Sequence, residues 1–155
     1  MKWVTRERPK IDRLACPWLI RRFIDPAPEF LFVPPAQVRT VARETGAIPF
    51  DVPDVELTHV DDQCSFDAFV SKYGLRDPAL GQLATIVRGA DTGRPELAPQ
   101  AAGLLALSLG LSHLFADDDE LLGHGMTIYD ALYAWCRDAQ GETHTWNPDA
   151  LRLQS

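Results

Sequence analysis

The sequence predicts an α+β fold: a mainly helical single domain with a small β-sheet built from its N-terminal half. Three observations lead there. Extended, apolar runs such as Glu29-Phe-Leu-Phe-Val33 fall in the first sixty residues. Apolar stripes of helical period fill most of the rest. The 155 residues, 46% hydrophobic and 24% charged, suit one globular core. No glycine-rich phosphate loop follows a strand, and no strand–helix–strand alternation is visible. The expected organisation is one domain over 1–138 and a tail over 139–155.

The elements follow in order. Arg6, Arg8 and Lys10 are spaced by two, so an extended chain points them to one side. Pro9 makes this segment an edge strand or irregular, with its charges guarding the edge. In CPWLIRRFIDP, Trp18, Leu19 and Phe23 share a helical face and Pro17 suits a first turn. Asp12 is the alternative cap, of a longer, kinked helix. Asp25-Pro26 ends it, and Arg21 and Arg22 complement the helix dipole. A strand is expected over 29–33, a helix over 36–45 with Gly46 as C-cap, and an extended piece over 48–52. Val55–Val60 is expected to be a second strand. Ser65 caps a helix with a Phe66, Phe69, Val70, Tyr73 stripe, and Gly74 stops it. Another helix runs from Pro78 to about Ala90, followed by a turn at 92–95.

Leu97–Ala116 carries no formal charge and is long enough to cross a bilayer. Its Pro99, Gln100, Gly103, Ser108, Gly110, Ser112 and His113, with acidic residues 117–120 directly after, favour a buried central helix. Asp117 and Glu120 resemble the capping box of a short helical turn. Thr127 then caps the last helix, where Ile128, Leu132 and Trp135 share a face.

Cys16, Cys64 and Cys136 lie far apart and form no CxxC, which excludes a zinc ribbon and a thioredoxin motif. The odd count argues against a secreted disulfide scaffold and for reduced thiols in the cytoplasm. The N-terminus has no apolar signal region. Net charge is −7, yet seven of the fifteen Lys and Arg fall within residues 1–22. Such a segment can hold an anion locally, while the acidic body disfavours general nucleic-acid binding. Trp3, Trp18, Trp135 and Trp146 permit a homo-oligomeric interface.

The stretch ELTHVDDQCSFDAF, residues 56–69, carries the densest chemistry. On a strand, His59 shares a side with Val55 and Leu57, and Glu56 faces away, so the ExxH spacing is not a metal motif. Cys64 precedes the helix and is the cysteine best placed to become a thiolate, with Asp67 opposing it. The stretch is either a core histidine, a polar turn and a capped helix, or a site. As a site, His59 and Cys64 are base and nucleophile, or ligands of a divalent metal, zinc or similar. His113 is the next candidate ligand, with Asp117 four residues on to orient it, and His124 is a loop candidate. His144 falls in the tail. Arg88 and Asp91 pair along a helix, or Arg88 reaches an anion.

WVTRERPKIDRLACPWLIRRFIDP, FDVPDVELTHVDDQCSFDAF and IVRGADT together resemble the C-terminal domain of the bacterial chromate-resistance protein B family, over roughly residues 2–137. The resemblance implies a role in chromate resistance. Longer members carry a region ahead of this domain and have been viewed as chromate-responsive regulators. That region is not expected here, which makes DNA-binding regulation the least expected role. Three functions follow. The first is binding or sensing of chromate or another small oxyanion or metal, with Arg6, Arg8, Lys10, Arg13 and Arg88 supplying charge-assisted hydrogen bonds. The second is a metal- or thiol-dependent enzyme for a small anionic substrate, worked by His59 and Cys64. The third is a DNA-binding regulator.

Overall fold

The fold is known from a computed structural model, which describes residues 1–144. Part of the expected tail, with Trp146, lies outside the described residues. The architecture is α+β: among the described residues, six α-helices and a three-stranded sheet from the N-terminal half. No helix among the described residues is long and apolar enough to cross a membrane.

The sheet is parallel throughout. β1 (Lys2–Arg6) lies between β2 (Glu29–Val33) and β3 (Ile48–Pro49). Between β1 and β2 the chain crosses through α1 (Asp12–Leu19), which widens into a π-type turn over Ile20–Ile24. Between β2 and β3 it crosses through α2 (Val38–Thr45). The chain therefore does alternate strand and helix here, contrary to the sequence reading. β3 is only two residues long, and its register is visible only beside β1. The basic N-terminal strand is central, because it ends at Arg6, before Pro9 could remove a ladder donor.

Pleating gives β1 two cores. Trp3 is buried with α1 and the helices that follow residue 64, whereas Val4 packs with Val38, Ala47 and Val52 beneath α2. Gly46 closes α2 at φ 74, the left-handed cap its missing Cβ permits.

Other expected elements differ as well. Val55–Val60 forms no strand; it belongs to an irregular loop with one bridge, Val60 to Gln63. The loop is held instead by local bonds: Asp51 N donates to the Leu57 carbonyl at 2.8 Å, and Leu57 is buried. In α3 (Ser65–Lys72) the N-cap is Cys64, not Ser65.

The C-terminal half is helical: α4 (Pro78–Asp91), α5 (Ala101–Leu114) and α6 (Asp118–Ala134). α6 is one helix; its Asp117 cap accepts from Glu120 N at 2.8 Å, and Thr127 lies inside it rather than starting another. α5 is not a buried central helix. Ala101, Leu104 and Ser108 face inward, while Leu107 (53% exposed), Leu109 (42%) and Leu114 (75%) face out.

Candidate functional site

The site lies at the carboxyl ends of β1 and β3, where parallel sheets commonly gather ligands. β1 delivers Arg6 and the corner beyond it. β3 leads to Asp51. The start of α1 brings Asp12, the end of α4 brings Asp91, and the 51–64 loop brings His59.

Asp12 is the inner anchor. It is fully buried, and its two oxygens accept from the first amides of α3: Ser65 N at 2.7 Å and Phe66 N at 3.2 Å. A carboxylate from one helix thus caps the start of another, where the dipole favours negative charge. The turn before it is strained: Ile11 sits at φ 42, where a β-branched residue is an outlier. Tertiary bonds hold that conformation. Ile11 N donates to Ser108 Oγ at 2.9 Å, and Tyr129 Oη donates to the Ile11 carbonyl at 3.0 Å.

Three carboxylates converge on one imidazole. His59 Nε2 lies 2.9 Å from Asp91 Oδ2, 3.2 Å from Asp12 Oδ2 and 3.3 Å from Asp51 Oδ1. Hydrogen bonds to Asp12 and Asp51 raise the His59 pKa to about 10, against a smaller effect of burial. Burial, with the charges of Asp12 and Asp51, lifts Asp91 to about 7. Burial also raises Asp12. Asp51 differs. Burial opposes its charge too, but His59, Ser65 Oγ at 2.8 Å and the nearby guanidinium groups hold it below the usual range. Donor atoms of Asp12, His59 and Asp91 lie within 4.8 Å of one another, a spacing that can hold a metal ion.

The cysteines belong elsewhere. Cys64 is buried, and its Sγ lies 3.3 Å from Asp67 Oδ2. Burial and then the charges of Asp12 and Asp67 push its thiol pKa up, so the helix start does not produce a thiolate. Cys16, 3.8 Å from Asp12 Oδ1, is pushed up as well, by burial first.

The basic candidates are mostly engaged. Arg88 does not pair with Asp91; it makes a two-pronged bond to Asp67 at 2.9 and 2.8 Å, which leaves Asp91 free to face His59. Arg8 caps the end of α5 through the carbonyls of Ser112, Phe115 and Ala116, and reaches Asp118. Arg6 and Arg13 meet Asp51 Oδ2 at 3.0 and 3.4 Å. Lys10 is exposed. His113 and His124 are exposed and outside the Asp12–His59–Asp91 cluster; His124 is inside α6 and stacks on Phe115, ring centroids 4.0 Å apart. His144 is exposed too.

Of this cluster, sequence reasoning singled out His59 alone. Asp12 read as a cap, Asp51 as part of an extended piece and Asp91 as a helical partner of Arg88. All three nevertheless stand inside the stretches that carry the resemblance, beside apolar neighbours: KIDRLAC, IPFDV and IVRGAD. An acid set in an apolar run was the available signal.

Comparison with known proteins agrees with that resemblance. The family model described as the ChrB C-terminal domain matches residues 3–136. Protein ChrB of Cupriavidus metallidurans is 35% identical over 133 residues, which cover 85% of this chain and 40% of that protein. No solved structure matches.

Proposed function

The chain belongs to the family of ChrB C-terminal domains, and from that premise we propose that it serves chromate resistance as a binding domain for a divalent metal ion. Asp12, His59 and Asp91 are the ligands. The observation that carries this reading is the convergence of Asp12 and Asp91 oxygens on His59 Nε2 at 3.2 and 2.9 Å. A metal ion between them would offset the buried Asp12 and half-buried Asp91, which burial otherwise drives toward protonation. Two carboxylates and an imidazole suit a hard or borderline ion such as manganese, iron or zinc, and disfavour a soft one.

Direct capture of chromate by the arginines has less support. Arg6, Arg8, Arg13 and Arg88 already face carboxylates or carbonyl groups. Three carboxylates at the site repel a dianion unless a cation intervenes. A metal-dependent enzyme is the second reading, favoured by His59, whose side chain is 41% exposed and so leaves the centre open to solvent.

The test is metal content by plasma mass spectrometry after incubation with manganese, iron or zinc and dialysis. Near-stoichiometric metal is expected in wild type, Cys64→Ala and His113→Ala, and loss in His59→Ala and Asp91→Asn. Wild type that retains none of the three metals refutes the proposal.

A further inference from the structure

We infer that the metal-loaded site takes a small anion as an additional ligand on the ion, favoured by Arg6 and Arg13; this rests on the metal reading above. Coordination number comes first. Asp12, His59 and Asp91 supply three side-chain ligands, and a centre with three protein ligands keeps a position for water or an incoming group.

Access comes second. The three side chains are graded from inside to outside: Asp12 is 1% exposed, Asp91 15% and His59 41%. An incoming group therefore arrives on the His59 side, and Asp12 is the inner wall.

Charge decides what that group is. A divalent ion offsets Asp12 and Asp91. Asp51 is the third acid, and its two oxygens face different ways. Oδ1 points to His59 Nε2 and Ser65 Oγ, while Oδ2 meets both Arg6 Nη2 and Arg13 Nε. One carboxylate offsets one guanidinium, so a full positive charge remains a single carboxylate away from the metal. Pairs around the site add nothing to this balance: Arg88 with Asp67, Arg94 with Asp62 and Arg8 with Asp118 are each matched. Arg6 Nε is also buried and is the one such side-chain polar atom, among the described residues, with no hydrogen-bond partner. Net positive charge around an open metal position favours an anion over neutral water. Asp51 is then a positioning residue, holding two guanidinium groups beside the ion without ligating it.

The probe is azide, titrated into the full chain loaded with cobalt(II) and followed by the visible absorption of the metal. A saturable spectral change is expected. Arg13→Gln should weaken azide by about tenfold, the effect of one charge-assisted interaction, while still binding cobalt. Arg6→Gln, on the exposed side, serves where Arg13→Gln does not fold. A cobalt spectrum that azide leaves unmoved overturns the inference and leaves the metal reading standing. So does azide affinity unchanged in both variants. Azide that binds chelated protein equally well, by titration calorimetry on both forms, overturns its dependence on the metal. A chain that takes up neither cobalt nor manganese, iron or zinc overturns the metal reading itself.

Discussion

Asp12→Ala should destabilise the metal-free protein by about 2–4 kcal/mol, because two buried amides lose their acceptor. Ser65 N and Phe66 N donate to Asp12 at 2.7 and 3.2 Å, at the start of α3. An unsatisfied buried donor costs roughly 1–3 kcal/mol, so the pair would cost about 2–6 kcal/mol. Relief opposes this, since burial already disfavours the Asp12 charge, and the net falls in the lower part of that range. For a domain of this size the midpoint should drop by roughly 5–15 °C. Asp12→Asn keeps one side-chain oxygen and should recover about half of the loss. The assay is urea unfolding with chelator present, followed by tryptophan fluorescence. Asp91→Asn is the contrast: Asp91 caps no helix, and an amide oxygen still accepts the 3.4 Å contact from Asp12 N and the 2.9 Å contact with partly exposed His59 Nε2, so its stability should stay within about 1 kcal/mol of wild type. Asp12→Ala as stable as wild type would show that Asp12 does not cap α3, and the reasoning would be wrong.

Arg88→Ala leaves the nearly buried Asp67 carboxylate without its two-pronged partner and should cost about 3 kcal/mol or more by urea unfolding; a loss below about 1 kcal/mol would mean the pair is solvated like a surface bridge. Cys16, Cys64 and Cys136 are all buried, so Ellman's reagent should react with them only as fast as the protein opens. A fast burst of even one thiol under native conditions would contradict this. In the chelated protein, stability should fall as pH rises from about 4 to 10, through Asp91 up to about 7 and through His59 above that. The native His59 and Asp91 hold protons more tightly than the unfolded chain, with pKa values of about 10 and 7 against 6.5 and 3.8. Their stabilising contributions are complete below the unfolded values and disappear as pH passes through the folded ones. Solvent near half-exposed His59 keeps the effect modest. Thermal midpoints measured across this range should slope downward in wild type and flatten above pH 8 in His59→Gln; a flat wild-type profile would count against the cluster.

The helices show where sequence reading succeeds. The α2 C-cap at Gly46, the α3 stop near Gly74 and the α4 start at Pro78 were all legible, because caps and breakers act within one turn of chain. Where reading failed, a partner lay far off. Arg88 and Asp91 have ideal helical spacing, yet Asp67 from α3 outcompetes Asp91 with two bonds. A helix at Leu97–Ala116 was legible, but its environment was not. Lack of charge suggested burial all round, while packing buries the Ala101, Leu104, Ser108 stripe and half-covers Leu105 and Leu111. Val55–Val60 has strand-like residues but no neighbouring strand to pair with, and β-propensity without a partner yields no ladder.

By itself the sequence determined the α+β class, most helix boundaries and the family. These rest on hydrophobic periodicity, local hydrogen bonding and long unusual motifs, all readable along the chain. Tertiary structure alone decided that β1 is central and that His59 meets Asp12, Asp51 and Asp91. Asp12 and Asp91 stand 79 positions apart and touch only because two parallel crossovers and α4 bring their ends to one edge of the sheet. It also decided that Cys64 is a buried thiol, since low polarity and nearby acids outweigh the helix start in front of it. Distant charges act through space and burial, and neither is ordered along the sequence.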